Sequence, residues 1–292
     1  MILKNNPPQG FLDEETRDGY TVSAHMKKVW AVQLDMLQEL QRVCEKYGLR
    51  FWMEGGSLIG AVRHHGYIPW DDDIDVVMPR ADFDKLQEVG PQEFTHPHFF
   101  QNFYTDPHYN HRHIQIRNVE SAEYNSADLA RYCRGIFLDI FPLDYLPNNP
   151  RAIRKHEQKL RKMKQRIKFT QKVFCHLPEG WYKYCRNNTK CLSDKWLYAQ
   201  FEDELRKYKE DRAVICCPIG YKNYSVVRAV SDYKETVLTK FEWLEVPIPA
   251  AYDSMLTAEY GDYMTPVHSA TRHGAHTYET DRSYREVFKK VL

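Results

Sequence analysis

The sequence has little that would connect it with a membrane span, with nucleic acid or with an oxidising compartment. No apolar run approaches the ~18 to 20 residues that a membrane-spanning helix needs, and residues 1–10 lack the apolar core of a signal peptide. The 41 basic and 40 acidic residues leave a net charge of +1, so we expect no nucleic-acid partner. The seven cysteines are scattered and odd in number. We therefore expect reduced thiols in a cytoplasmic protein.

The chain is well suited to form a buried core. It has 292 residues, of which 42% are apolar, an ordinary share for a globular protein. Short apolar runs and helical periodicity alternate in the first half, whereas helical patterns dominate the second half. We predict an α+β protein with a mixed-sheet catalytic core over residues 1–150. A helix-rich region over residues 151–292 should pack on that core.

A glycine-rich turn follows the first predicted helix. Ser23 is a typical N-cap of that helix, and Gly48 is a typical stop. A short apolar strand then leads through Gly55, Gly56 and Ser57 into a second helix. Such a turn presents backbone N–H groups and a hydroxyl to phosphate oxygens, although Gly-Gly-Ser is also an ordinary turn.

The most informative stretch contains four aspartates within five residues. If residues 73–78 form a strand, Asp71, Asp73 and Asp75 share one face and Asp72 points the other way. Carboxylates on one face repel one another, and oxygen ligands suit Mg²⁺ or Mn²⁺. The alternative is a solvated acidic turn.

Asp139 is the natural additional carboxylate of such a site. It is the lone charge in the apolar strand predicted over residues 135–141. A buried carboxylate needs a partner, and a metal ion is a suitable one. The alternative is that Asp139 pairs with an arginine.

Three stretches together resemble the LicD family, the bacterial phosphocholine transferases related to fukutin. The first is Gly55–Asp75, GGSLIGAVRHHGYIPWDDDID, which closely resembles the family signature. Gly135–Asp144 is similar to the family's GIFIDIFPLD strand, and Phe241-Glu242 with Tyr260–Met264 is similar to its C-terminal motif. The resemblance covers about residues 30–145 and 240–275. It implies the polymerase-β-like nucleotidyltransferase fold.

The resemblance also implies a two-metal catalytic site. Asp73 and Asp75 would hold two divalent ions, Mg²⁺ or Mn²⁺, with Asp71 as a further ligand. Asp139 would bind the ion beside the attacking hydroxyl and help to deprotonate that hydroxyl. Asp139, Asp73 and Asp75 are therefore the expected catalytic residues.

The expected donor contacts come from the same signature. The Gly55-Gly56-Ser57 turn would hold the donor phosphate, and Arg63 would add positive charge as CMP leaves. A quaternary ammonium head group favours aromatic contacts. Its candidate partners are Trp52, Tyr67, Trp70 and Trp243, each of which is also an ordinary core residue.

The implied reaction is metal-dependent transfer of phosphocholine, or a similar phospho-alcohol. The donor would be CDP-choline or a related CDP-alcohol. The acceptor would be a hydroxyl of a cell-surface glycan or of a lipid-linked oligosaccharide precursor. One alternative is nucleotidyl transfer to a small molecule, which releases pyrophosphate instead of CMP. Another is a non-catalytic module that binds a nucleotide or a cation.

The predicted helix over residues 151–172 is strongly basic, with ten Lys or Arg residues and one Glu. One interpretation is a solvated helix face. The other is peripheral contact with anionic lipid headgroups at the inner face of the membrane.

Overall fold

A computed structural model describes residues 1–109, 111–124, 132–174, 176–188, 193–213, 215–218, 227–267 and 277–288. Within these residues the α+β fold class expected from the sequence is confirmed. The helices are α1 (Ala24–Tyr47), α2 (Gly55–Arg63), α3 (Arg80–Glu93), α4 (Pro150–Phe174), α5 (Glu179–Asn188), α6 (Asp194–Leu205), α7 (Tyr252–Tyr260) and α8 (Tyr284–Val287).

Thirteen strands accompany these helices in the described residues. They are β1 (Glu15–Arg17), β2 (Tyr20–Val22), β3 (Trp52–Met53), β4 (Asp75–Pro79), β5 (His98–Gln101), β6 (Ile114–Asn118), β7 (Ala122–Tyr124), β8 (Ile136–Leu146), β9 (Ile215–Pro218), β10 (Arg228–Ala229), β11 (Thr236–Phe241), β12 (Leu244–Pro249) and β13 (Thr277–Glu279).

The first of two compact units contains residues 1–142 and 232–292. Five strands of its main sheet lie in the order β5-β6-β8-β4-β3. Neighbouring strands are antiparallel in the pairs β3–β4, β5–β6 and β6–β8. Two-stranded ribbons are formed by β1 with β2, β7 with β13, and β11 with β12.

The second unit contains residues 143–231. It comprises α4, α5 and α6, with β9 paired to the end of β8 and to β10. This grouping does not follow the division at residue 150 expected from the sequence. Phe241, Val246 and Leu256 pack in the same apolar core as α1, and the C-terminal residues therefore join the first unit.

Helix α1 lies at the centre of that core. Its ends agree with the sequence prediction, because the Ser23 hydroxyl accepts a hydrogen bond from the Met26 N–H. At the other end, Gly48 has a left-handed φ of 65°, which glycine adopts without steric cost. Every residue from Val29 to Leu37 is buried. The helix is therefore enclosed on all sides over these turns.

None of the helices in the described part of the chain combines the length and the apolar character required to cross a bilayer.

Candidate active site

The glycine turn joins β3 to α2 as the sequence predicts. Gly55 has a φ of +55°, a conformation that L side chains rarely adopt. A Cβ atom on Gly56 would lie 2.8 Å from Oδ2 of Asp71. Glycine at this position therefore allows the Asp71 carboxylate to approach the first turn of α2.

Ser57 connects this turn to the acidic strand. Its buried hydroxyl oxygen accepts a hydrogen bond of 2.9 Å from the backbone N–H of Asp75. The hydroxyl keeps its own proton to donate. Ser57 thus fixes the position at which β4 begins, and its contact with a donor phosphate stays a prediction.

The aspartates do not all lie on one strand, contrary to the sequence expectation. Strand β4 begins only at Asp75, and Asp71, Asp72 and Asp73 precede it in irregular backbone. Without the strand there is no alternation of faces. Asp72 therefore groups with its neighbours, and one carboxylate oxygen from each of the three lies within 4.8 Å of the others.

Helix α1 holds the backbone of this acidic segment. The Trp30 indole N–H donates a hydrogen bond of 3.0 Å to the Asp71 carbonyl, and the Gln33 amide donates one of 2.7 Å to the Asp72 carbonyl. Gln33 also accepts a hydrogen bond from the Tyr67 hydroxyl. These buried donors fix the carbonyls, so the conformation of the segment depends on core side chains that carry no charge.

Asp139 lies beside this segment, as the sequence predicts. Strand β8 is next to β4, and the Asp139 N–H donates a hydrogen bond of 3.0 Å to the carbonyl of Ile74. Oδ1 of Asp139 accepts a hydrogen bond of 2.6 Å from Gln115 and lies 3.1 Å from Nε2 of His113. Burial opposes the ionised form, but His113 and Gln115 outweigh it and lower the pKa of Asp139.

Asp75 has the opposite electrostatic environment. Burial and the nearby carboxylates of Asp73, Asp139, Asp71 and Glu54 raise its pKa well above the ordinary value. A divalent cation that prefers oxygen ligands would compensate the negative charge of such a cluster. Mg²⁺ and Mn²⁺ are the usual cations of this kind. The donor set therefore fits the metal expected from the sequence, and metal binding stays a prediction.

Arg63 joins the signature to the C-terminal motif. Its guanidinium donates a hydrogen bond to the Tyr263 carbonyl, and burial lowers its pKa. Next to it, Nε2 of His64 lies 2.8 Å from a carboxylate oxygen of Asp18. The contact with Tyr263 gives Arg63 a structural role, and its contact with the departing CMP stays a prediction.

Glu242 makes a second connection between these motifs. Both of its carboxylate oxygens accept hydrogen bonds from Arg17, and Oε1 also accepts one from the Tyr67 N–H at 3.1 Å. A Cβ atom on Gly66 would clash with the same oxygen. The C-terminal motif therefore supports the loop that leads to the aspartates.

Two of the four aromatic candidates belong to the core. Trp52 and Tyr67 are both buried, and Tyr67 stacks on Trp30 with ring centroids 4.4 Å apart. Their burial agrees with the alternative that they are ordinary core residues. Trp243 packs edge-to-face on Phe11.

Trp70 is better placed for contact with a ligand. It is partly exposed and lies directly before Asp71. It packs edge-to-face with the exposed Tyr20, with ring centroids 5.9 Å apart. Trp70 and Tyr20 therefore form a partly exposed aromatic pair beside the acidic segment, which a ligand can reach.

His113 and Gln115 were not identified from the sequence. Gln115 lies on β6 and is the cross-strand partner of Asp139, and His113 directly precedes this strand. Their spacing of two residues was the available local signal, because residues two apart share one face of an extended segment. The register of β6 against β8, which brings both side chains to Asp139, depends on residues distant in the sequence. It therefore cannot be predicted from the sequence of β6 alone.

The carboxylates of Asp71, Asp72, Asp73, Asp75 and Asp139 lie in a segment that matches a known protein family. Residues 48–177 match the family described as "LicD/FKTN/FKRP, nucleotidyltransferase domain". This segment is a LicD-family domain. The resemblance seen in the signature is thereby confirmed, and the LicD domain contains Ser57, Asp75, His113, Gln115 and Asp139.

Individual relatives extend the comparison. The chain is 29% identical over 243 residues to the lipopolysaccharide cholinephosphotransferase LicD of Haemophilus influenzae, an alignment that covers 80% of this chain and 89% of the relative. It is 59% identical over 51 residues to the ribitol 5-phosphate transferase FKRP of Homo sapiens, and equally to that of Mus musculus. The latter alignments cover 18% of this chain and 10% of FKRP.

Proposed function

We propose that this protein is a metal-dependent transferase that moves a phospho-alcohol, phosphocholine or a similar group, from a CDP-activated donor to a glycan hydroxyl. The acidic cluster is the observation that carries the proposal: the carboxylates of Asp71, Asp72 and Asp73 lie together, and burial with the carboxylates of Asp73, Asp139 and Asp71 raises the pKa of Asp75. The relatives LicD, a cholinephosphotransferase, and FKRP, a ribitol 5-phosphate transferase, support the phospho-alcohol class.

The residues proposed to hold Mg²⁺ or Mn²⁺ are Asp71, Asp73, Asp75 and Asp139. When bound, such ions neutralise charge on the entering and leaving oxygens of an in-line displacement. Gly55, Gly56 and Ser57 would bind the donor phosphate at the first turn of α2, where backbone N–H groups have no partner within the helix. Arg63 would supply positive charge near the departing CMP.

Asp139 is proposed as the proton acceptor for the attacking hydroxyl. Its lowered pKa keeps it ionised at neutral pH, which a general base requires. Gln115 and His113 hold Oδ1 and so orient the carboxylate. Positioning and charge neutralisation are the main sources of acceleration in phosphoryl-type transfer.

The cell-surface or lipid-linked glycan remains the proposed acceptor, by analogy with the lipopolysaccharide named for the Haemophilus relative. We propose the cytoplasm as the location. Cys44 and Cys133 are buried free cysteines, which suits a reducing compartment.

The deciding experiment follows CMP release from a panel of CDP donors. Purified protein with Mg²⁺ is incubated with CDP-choline, CDP-ethanolamine, CDP-glycerol or CDP-ribitol, with and without candidate glycans. We expect acceptor-dependent CMP release from one donor, and its loss in Asp73→Asn and Asp139→Asn. Asp203→Asn, at an exposed aspartate of α6, is the matched control and should keep full activity.

Other products would support the other functions. Pyrophosphate release from nucleoside triphosphates, with no CMP from any CDP donor, would identify nucleotidyl transfer to a small molecule. Nucleotide or cation binding without turnover of either class would identify a non-catalytic module.

A further inference from the structure

The second unit exposes an unusual group of large apolar side chains at one end of a helical hairpin. Phe169 and Val173 on α4 are 70% and 49% exposed, and Trp181 and Tyr184 on α5 are 64% and 58% exposed. Phe169 and Val173 are four residues apart on a helix, and Trp181 and Tyr184 are three apart, so each pair shares a face. We call these four residues the hairpin surface.

The hairpin surface is continuous along the chain. Helix α4 ends at Phe174 and α5 begins at Glu179, so the two pairs lie on either side of a short connection. The rings of Trp181 and Tyr184 have centroids 6.1 Å apart and contact edge to face. The aromatic side chains of α5 thus form one patch.

Packing within the unit does not explain this exposure. Leu160 and Ile167 form the buried side of α4, and Tyr182 is buried on α5. Both helices pack on α6. The hairpin therefore satisfies its own core with other residues, and the four exposed apolar side chains are available for another contact.

The charge along the α4 side of the hairpin surface has one sign. Between Gln158 and Pro178 the sequence contains seven Lys or Arg residues and no Asp or Glu. Arg166 and Lys168 are exposed on the same part of α4 as Phe169. The complementary binding partner is therefore a surface that is negatively charged and has an apolar interior into which these side chains can insert.

We propose that the hairpin surface docks the protein onto a bilayer that contains anionic phospholipid. Aromatic side chains with an apolar body and a polar tip favour the headgroup level of a membrane. Basic residues beside them are attracted to anionic lipid headgroups. An amphipathic helix with Lys and Arg on its polar face and aromatic residues beside them is typical of interfacial binding.

The test uses the full chain and lipid vesicles, without donor or acceptor, so its result is independent of the proposed reaction. Co-sedimentation with phosphatidylcholine vesicles is compared with co-sedimentation when phosphatidylglycerol is added. We expect binding only with phosphatidylglycerol, and its loss at high salt, because the screening length falls from ~10 Å at about 0.1 M to ~3 Å at about 1 M salt.

Two variants separate the apolar and the charged contributions. Trp181→Ala with Tyr184→Ala should weaken vesicle binding at least tenfold, while the control Leu238→Ala, at an exposed residue of β11, should not. Arg166→Gln with Lys168→Gln should weaken it roughly 25-fold, at about fivefold for each cation. The control Lys234→Gln with Lys240→Gln removes the same charge from exposed residues of the first unit and should bind nearly as well as the unaltered protein.

Folding and self-association are measured on the same samples. All variants should keep the melting temperature of the unaltered protein, because the changed side chains are exposed. Equal binding of the Trp181→Ala/Tyr184→Ala variant and the unaltered protein would overturn the proposal. A dimer that is lost in this variant, with no vesicle binding, would also overturn it and identify a second copy of the chain as the occupant.

Discussion

Gln115 on β6 donates a hydrogen bond of 2.6 Å to Oδ1 of Asp139, its cross-strand partner on β8. Nε2 of His113, the residue directly before β6, lies 3.1 Å from the same oxygen. In the part of the chain that the structure describes, no hydrogen bond reaches Oδ2. The two neighbours therefore orient the carboxylate by one oxygen, and Oδ2 is the oxygen that we propose takes part in the reaction.

Replacing Gln115 by Met should lower activity through Asp139. The substitution keeps the approximate size of the side chain but removes a hydrogen bond to a charged group, which is worth roughly 1.5–3 kcal/mol. We expect kcat to fall about 10- to 100-fold, with little change in the KM for the donor. Steady-state kinetics measure both values.

Gln41→Met, on the surface of α1, is the control for the same chemical change, and its kcat should be unaltered. An unchanged kcat in Gln115→Met at an unchanged melting temperature would show that Gln115 does not position Asp139.

Asp75→Asn should stabilise the metal-free protein while abolishing turnover. The raised pKa of Asp75 means that the folded state holds a proton to higher pH than the unfolded chain does. Stability is therefore lost as pH rises from the ordinary value of 3.8 through the raised pKa. Asparagine cannot ionise, so the variant escapes this loss.

Thermal melting with a chelator at pH 5 and at pH 8 measures the effect. The melting temperature of Asp75→Asn should exceed that of the unaltered protein, with the larger difference at pH 8. Mg²⁺ at 100 times its dissociation constant should stabilise the unaltered protein by about 2.7 kcal/mol and so raise its melting temperature. Mg²⁺ should have little effect on the melting temperature of the variant. A variant that is less stable than the unaltered protein at pH 8 would contradict this account.

Ser57→Ala should separate the structural role of this hydroxyl from its proposed contact with phosphate. Alanine leaves the buried Asp75 N–H without its acceptor, at a cost of about 1–3 kcal/mol. Chemical denaturation should show this loss in the absence of any donor. Ser57→Thr retains the hydroxyl and should restore both stability and activity. Full stability of Ser57→Ala would mean that the hydrogen bond to Asp75 contributes little.

Local sequence signals were sufficient to predict some of these features. Ser23 and Gly48 bound α1 because a capping hydroxyl and a left-handed glycine are local requirements. The proximity of Asp139 to the aspartate segment was predicted because a lone charge in an apolar strand needs a compensating partner. The family resemblance supplied the rest of the catalytic set, which is not yet tested.

Other features depend on contacts between distant residues. The irregular backbone of Asp71–Asp73 is held by Trp30 and Gln33 of α1, and neither residue carries a local signal for that role. The ribbon of β11 and β12 lies in the region that the sequence predicts to be helix-rich. The exposure pattern of β11 leaves Val237 and Leu238 both outside the core, so the alternation that would indicate a strand is absent there.

Trp70→Leu should change the selectivity for the donor head group. Trp70 and Tyr20 form an edge-to-face pair directly before the aspartate segment, and a quaternary ammonium on an aromatic face gains about 0.5–2 kcal/mol. If the pair receives choline, the KM for CDP-choline should rise roughly 2- to 30-fold. The kinetic constants for CDP-glycerol, which has no cation, should stay the same.

Trp70→Phe should recover part of the loss because it keeps an aromatic face, and Trp196→Leu, at an exposed tryptophan of α6, is the control. An equal rise in KM for both donors would show that Trp70 shapes the site without recognising the cation.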